Sequence, residues 1–408
     1  MYAYSVSTKR SLVAAVAPTA VLISICLSHS GVGQTLSVNF RGTMPLGATA
    51  TDQNGQKFTV TGLSGLTWVQ DTLFVAIMDN SDKLVLLDVQ LDADGTISFA
   101  AIVGGLTLAE SRDFEGIAYT TVDRDSVFLC EEDTPAVREY RHSDGALLQT
   151  LDTPPVFFNL RPNFGFESLS RHPAGTALWT ANEEALTVDG ELSTPQDGTV
   201  VRLLRYTLSG QTGIPAEQFA HITEPMHGGN ISGGRSGLVD LAVLPNSKIL
   251  ALERSFAFNI PDFFESRLYE LDFSDATDVS GFVDGLIGET FTPVAKHLLW
   301  SGSVGNLEGL ALGPSLTGGN QSLLGIVDDG DPLSTNQLVA FELLFPGGAP
   351  CPWDLDGSGD VGVSDFLDLL GNWGACPPKG DCPADFDDSG DVGVSDFLEL
   401  LGNWGPCP

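Results

Sequence analysis

Short apolar runs broken by Gly, Pro, Asn and Asp recur from residue 35 to residue 345, and few stretches there carry the spacing of an amphipathic helix. A loose unit repeats through this region: a small or acidic residue, an apolar strand, a turn, a second apolar strand ending in acid, and a third strand. The clearest copies are SGLTWVQDTLFVAIMDNSDKLVLLDV from Ser64, EGIAYTTVDRDSVFLCEEDTPAVREY from Glu115 and ESLSRHPAGTALWTANEEAL from Glu167. Two more, LVDLAVLPNSKILALERSF from Leu238 and EGLALGPSLTGGNQSLLGIVDDGDP from Glu308, repeat the pattern. The second strands are apolar throughout (residues 73–78, 126–130 and 249–252), as in sheets covered on both faces. Copies roughly 50 to 70 residues apart, none able to bury both faces alone, predict an all-β body built as a β-propeller. VNFRG near Val38 and LVAFELLF near Leu338 are placed to pair in one blade and close the ring. Six blades are expected, with residues 55–62 or 278–301 supplying the least legible one; five is the alternative.

The pattern changes at residue 351. CPWDLDGSGDVGVSDFLDLLGNWGACP from Cys351 aligns with CPADFDDSGDVGVSDFLELLGNWGPCP from Cys382 at a shift of 31 residues, which marks a duplication. Oxygen-bearing side chains fall at the first, third and fifth positions of a loop (Asp354, Asp356, Ser358; Asp385, Asp387, Ser389). Gly359 and Gly390 take the sixth position, and Asp365 and Asp396 close the twelfth. That is EF-hand-type calcium spacing, because a hard ion gathers six to eight oxygens and the sixth-position Gly allows the sharp turn. Asp360 and Asp391, at the seventh position, would contribute backbone carbonyls. Each loop runs into a helix with an apolar stripe, Phe366, Leu369, Leu370 and Trp373 in one copy and Phe397, Leu400, Leu401 and Trp404 in the other. The predicted organisation is a signal peptide over 1–33, a propeller over 35–345, a linker over 346–350 and calcium-binding repeats over 351–408.

Charge sharpens this picture. The formal net charge of −34 makes nucleic acid and anionic membranes poor partners and divalent cations good ones. Lys9 and Arg10 followed by the apolar run 11–27 read as a secretory signal, with a lipoprotein anchor at Cys26 as the alternative. No other segment reaches a membrane-spanning apolar length, so a secreted or extracytoplasmic protein is expected. Four clustered cysteines, Cys351, Cys376, Cys382 and Cys407, imply two disulfides. Of the three connectivities, Cys351 with Cys376 and Cys382 with Cys407 is favoured, each pair bracketing its own repeat. Cys130 reads as a buried small hydrophobe.

Acids recur at equivalent places in the body. Glu115, Glu167 and Glu308 begin a first strand, and Asp79, Glu131, Glu183, Glu253 and Asp328 end a second. In a propeller these positions converge on one end of the central channel, where such carboxylates would repel one another unless cations lay between them. Further calcium in the channel follows, with capping of turns by the individual acids as the bland alternative. No Gly-x-Ser-x-Gly, zinc-binding His pattern or nucleotide-binding Gly loop is present.

Two resemblances rest on these residues. The duplicated loop-then-single-helix tail, with Asp at the twelfth position, resembles the dockerin family of cohesin-binding modules. It implies two bound calcium ions and a cohesin-like partner read by Val363, Ser364, Val394 and Ser395. The flanking cysteines, and Gly362 and Gly393 at the ninth position, depart from the family pattern. The body resembles the phytase-like ("esterase-like activity of phytase") propellers. The resemblance is carried by Phe114-Glu115-Gly116-Ile117-Ala118, Gly165-Phe166-Glu167-Ser168-Leu169, Leu252-Glu253-Arg254, Asn306-Leu307-Glu308-Gly309-Leu310 and Asp328-Asp329. It implies an acidic, calcium-bearing channel and hydrolysis of a small phosphate ester or other ester. Glu115, Glu167, Glu253 and Glu308 would then be ligands, Asp328 or Asp329 a further ligand or base, and Arg254 or Arg112 the charge-offsetting group. The body's poverty in Lys and Arg argues against a highly anionic substrate. The alternative function is a non-catalytic propeller that binds a ligand or protein, carrying a calcium-stapled tail.

Overall fold

A computed structural model describes residues 36–209, 212–228, 233–258, 263–316, 319–329, 335–345, 351–355, 360–376, 382–387 and 389–407. The expected signal segment and linker, with loop residues Asp356, Ser358 and Gly359 and the side chain of Asp360, lie outside the described residues.

Five four-stranded antiparallel sheets make up the body. Blade 1 runs Leu63–Gln70, Leu73–Met78, Ser81–Leu91 and Ile97–Arg112, and blade 2 runs Phe114–Tyr119, Ser126–Glu131, Ala136–Arg141 and Leu147–Thr150. Blade 3 comprises Phe166–Arg171, Ala177–Asn182, Val200–Ser209 and Thr212–Ile222, and blade 4 comprises Arg235–Val243, Ile249–Phe256, Phe264–Asp272 and Ala295–Gly302. Blade 5 takes Asn306–Ser315, Gln321–Asp328 and Gln337–Leu344 from the end of the body and Ser37–Pro45 from its start. Val38 pairs with Leu343 and Met44 with Leu338, so the ends close the ring as the sequence suggested.

The expectation of six blades is corrected to five. Residues 55–62 belong to a hairpin (Thr49–Thr51 with Lys57–Thr59) whose Phe58 ring packs on Gly105 in the outermost strand of blade 1. Residues 295–302 complete blade 4, while the stretch before them is a strap laid on blade 3. Val279 N–H donates to the Gln218 carbonyl at 2.7 Å and Val294 N–H to the Ala220 carbonyl at 2.8 Å. Under the strap the fully buried Arg202 donates to Asp189 at 2.6 and 2.9 Å and to the Phe282 carbonyl at 3.0 Å. The extra length in that segment is therefore spent on a tether and not on a blade.

Apolar clusters fill each boundary between adjacent blades. Val75 and Leu84 meet Phe114 and Tyr140 between blades 1 and 2, and Phe128 meets Phe166 and Leu204 between blades 2 and 3. Val201 meets Leu241 and Ile249, Leu250 meets Leu323 and Phe341, and Phe74 meets Ile326 and Leu338 at the other three boundaries. A sheet covered on both faces needs apolar residues at successive positions, which is why the second strands read as unbroken apolar runs. Around the axis the inner strands approach closely enough to require glycine. A Cβ on Gly116 would lie 2.4 Å from Leu169 N, and one on Gly309 would lie 2.5 Å from the Ser64 carbonyl.

The tail forms helices Val363–Gly371 and Val394–Gly402. Asp360–Val361 pairs with Gly405–Pro406 and Gly374–Ala375 with Asp391–Val392, so each loop is stitched to the residues following the other helix. The Phe366 and Phe397 rings meet at a tilt, centroids 5.4 Å apart, over a core that includes Val361, Leu369, Val392 and Leu400. The disulfides are Cys351–Cys407 and Cys376–Cys382, which corrects the favoured pairing. This follows from the same exchange, since the end of the second repeat lies beside the start of the first. Among the described residues no helix is long and apolar enough to cross a membrane.

Candidate active site at the acidic end of the channel

Every inner strand carries a register irregularity, immediately after Leu63, Phe114, Phe166, Leu238 and Leu307, and each of these residues pairs with the second strand of its blade. A bulge inserts an unpaired residue and re-aims a side chain. The residues following those five are Ser64, Glu115, Glu167, Val239 and Glu308, one per blade. On the second strand, the residues following the partners of the same five are Asp79, Glu132, Glu183, Arg254 and Asp328. Two sets of five thus stand at one end of the channel, seven of the ten residues being carboxylic acids.

The side chains converge. One carboxylate oxygen from each of Asp113, Glu115 and Glu132 lies within 4.8 Å of the others, as do oxygens of Glu132, Glu167 and Glu183. Glu132 belongs to both groups. Two ionised carboxylates at such a separation repel by about 3 kcal/mol at an effective dielectric near 20. Burial, followed by the charges of Glu183 and Asp113, raises Glu132 to about 8. Burial raises Glu115 and Glu167 well above the usual carboxylate range, with each other's neighbours Glu132 and Glu308 adding to the effect. Asp79 rises to about 6 through burial and the charge of Asp328.

Among the described residues, one cation bonds into the cluster. Arg254 donates to Glu183 at 2.8 Å, to Asn306 Oδ1 at 2.6 Å and to Glu308. Burial alone would weaken its hold on the proton, but the Glu308, Glu183 and Glu167 carboxylates outweigh that and raise it. Glu308 still lies at about 7, burial exceeding the effect of Arg254. Asn306 also donates to Asp328 at 3.2 Å, tying the ring position of blade 5 to Arg254.

Calcium fits this donor set. The converging groups are hard oxygen ligands, and Asp113 Oδ1 and Glu308 Oε2 are buried with no hydrogen-bond partner. Asp113, Glu115, Glu132, Glu167 and Glu183 are the residues that would hold it.

The structure brings together Glu115, Glu167, Arg254, Glu308 and Asp328 from the residues anticipated in the body. It places Glu253 elsewhere, with His221 Nε2 at 2.8 Å, Lys296 Nζ at 2.7 Å and the Glu224 N–H at 2.7 Å. Glu131 faces Arg112 and Arg138, each at 2.9 Å, so the channel acid of blade 2 is its neighbour Glu132. Arg112 is accordingly held by Glu131 and Glu110. Asp329 accepts from Thr61, Gly62 N–H and Asn336 at 2.7 to 3.0 Å and fixes a loop. Sequence reasoning missed Glu132, Asp113 and Asp240. The last is buried on the blade 4 inner strand, accepting from Leu310 N–H at 2.6 Å and Leu169 N–H at 3.3 Å on the two flanking blades. Cys130 is buried and takes part in no disulfide, its sulfur accepting from Gly116 N–H.

In the tail, oxygens of Asp385, Asp387 and Asp396 lie within 4.8 Å of one another. Asp385 accepts from Ser389 N–H at 3.0 Å and Gly390 N–H at 2.9 Å, with Gly390 at φ +89° making the turn. Asp396 reaches back to Phe386 N–H and Gly393 N–H, each at 2.7 Å. Ser389 Oγ donates to the Asp391 carbonyl at 3.0 Å. In the first repeat Asp365 accepts from Gly362 N–H at 2.7 Å, and Asp354 is the other described ligand candidate.

No curated protein matches the chain. Solved structures resembling it include hydrazine synthase of Kuenenia stuttgartiensis (11% identity, 74% of this chain and 80% of that one, TM-score 0.36). The PQQ-bound aldose sugar dehydrogenase of Streptomyces coelicolor is another (10%, 76% and 99%, TM-score 0.34). A third is the calcium structure of a Trichoderma reesei enzyme of carbohydrate-active family AA12 (12%, 76% and 96%, TM-score 0.36). The profile of the phytase-like family, described as esterase-like activity of phytase, matches residues 59–331. The chain belongs to the phytase-like family.

Proposed function

We propose that the acidic end of the channel is a calcium-dependent hydrolytic site for a phosphate ester or other ester. The observation that carries this reading is the pair of buried carboxylate groups sharing Glu132, set beside Arg254. Calcium held there would polarise the ester oxygen and lower the pKa of a water that attacks it. Arg254, fixed by Asn306, Glu183 and Glu308, presents a pre-oriented cation to negative charge developing on the substrate. Ser64 donates to Glu115 and fixes its orientation. Asp328, oriented by Asn306, is the carboxylate placed to take a proton, since Asp329 is committed to its loop. With a net charge of −34 and one arginine in the cluster, a substrate of low charge suits the site better than a polyphosphate.

The tail is read as a dockerin-like calcium module that docks a cohesin-like partner. In support, Val363 and Val394, at duplicated positions, are each 63% exposed at the starts of their helices. The disulfides suit an oxidising, extracytoplasmic compartment, in line with the secretory signal read at 1–33. A second reading, a calcium-loaded propeller that binds without turnover, draws on the engagement of Arg254 by two carboxylates. Assay of the full chain against phosphomonoesters and carboxyl esters separates the two. Turnover of one ester class in calcium supports the enzyme, and none on either class supports the binder.

A further inference from the structure

At the other end of the channel the inner strands open into a cavity of about 430 Å³, within the range of small-molecule sites. Its floor comes from residues just beyond the bulges, Leu66, Ile117, Leu169, Ala242 and Leu310. The close approach of Gly65, Gly116 and Gly309 to neighbouring strands, with the Asp240 carboxylate bonded across three blades, lies between this floor and the acids. The cavity is therefore a site of its own. Trp68, Tyr119 and Val122 form its upper wall, with Arg171 among them.

Arg171 is the one arginine among the described residues without a carboxylate partner, in a chain where acids outnumber Lys and Arg by 53 to 19. Its guanidinium makes no hydrogen bond either, and the residue is partly buried at the end of the blade 3 inner strand, the guanidinium lying over Gly175. Burial, then the like charge of Arg124, disfavours its charged form. A guanidinium partly shielded from water with no counter-ion carries a desolvation cost, and a bound anion offsets that cost. One cation against an apolar wall, in a protein of strongly negative charge, selects a monoanion over a polyanion.

We infer that this cavity binds a small organic carboxylate, with its charge on Arg171 and its apolar or aryl body against Trp68, Tyr119 and the Leu66–Ile117–Leu169–Leu310 floor. Calorimetric titration of the full chain with cinnamate, and with its uncharged counterpart cinnamamide, tests this. Cinnamate is expected to bind, with cinnamamide weaker by about tenfold or more because the charge-assisted bonds are lost. Arg171→Gln is expected to weaken cinnamate to the same degree and leave cinnamamide unchanged. Failure of cinnamate to bind, equal binding of the two compounds, or wild-type cinnamate affinity in Arg171→Gln would overturn the inference. The comparison of the two compounds on the unaltered protein stands whether or not the variant folds.

Discussion

Glu253 and Arg254, neighbours in the second strand of blade 4, face opposite sides of the sheet and belong to unconnected charge networks. Glu253 meets His221 and Lys296 between strands of blades 3 and 4, whereas Arg254 reaches into the channel to Glu183 and Glu308. Strand alternation imposes this division, and the channel site depends on it, because Arg254 is the ring residue of its blade.

Arg254→Met is expected to destabilise the propeller by about 3 to 5 kcal/mol in chelator, since it strands two buried carboxylates. Added calcium should recover part of the loss by supplying another cation. Denaturant unfolding with and without calcium measures both terms.

Glu253→Gln gives a pH-dependent deficit. Burial pushes the Glu253 carboxyl up, but His221, Lys296 and the Glu224 N–H outweigh it and hold the group below its usual value. The Glu224 side chain and the Tyr269 ring face the same Lys296. A depressed folded-state value means that the stabilisation is complete above the unfolded glutamate pKa of about 4.3 and fades as pH falls through the folded value. The deficit relative to wild type should therefore be about 3 kcal/mol at neutral pH and shrink below pH 4. A deficit that stays constant on acidification would contradict the pairing.

Glu132→Gln is expected to raise the chelator-state thermal midpoint of the propeller by a few degrees, because it removes the carboxylate shared by both crowded groups. The same change should abolish most of the calcium-induced rise in that midpoint. Differential scanning calorimetry of both proteins, in calcium and in chelator, reads the two effects together.

Peptide mapping without reduction should recover one crosslink joining the start of the first repeat to the end of the second, Cys351 to Cys407, and a short loop closed by Cys376 and Cys382. Recovery of Cys351 with Cys376 would reject the interlocked arrangement of the repeats.

The fold was legible where a local rule governs it. Unbroken apolar second strands marked sheets buried on both faces, and Glu115 and Glu308 were recognisable as acids at the starts of the inner strands of blades 2 and 5. The count of blades was not legible, because the strap before residue 295 is as long as strands would be and is held by bonds between distant residues, from Arg202 to the Phe282 carbonyl and from Leu286 N–H to Asp189. In the Glu131-Glu132 pair only the pairing register shows which acid turns outward to Arg112 and Arg138 and which enters the channel. Asp240 sits in an apolar run with no acidic neighbour, so its role in bonding three inner strands emerged only from their closeness. The disulfide pairing likewise depends on how two similar repeats exchange their edges.

The most direct measurement is ester turnover by three proteins, each in calcium and in chelator: wild type, Glu132→Gln, and a variant with Asp385 and Asp396 replaced by Asn in the tail loop. Calcium-dependent turnover in wild type and the tail variant, lost in Glu132→Gln by about a hundredfold or more as expected for removal of a shared metal ligand, is the predicted result. Turnover that persists in chelator, or that survives in Glu132→Gln, would contradict a calcium-dependent site at the acidic end of the channel.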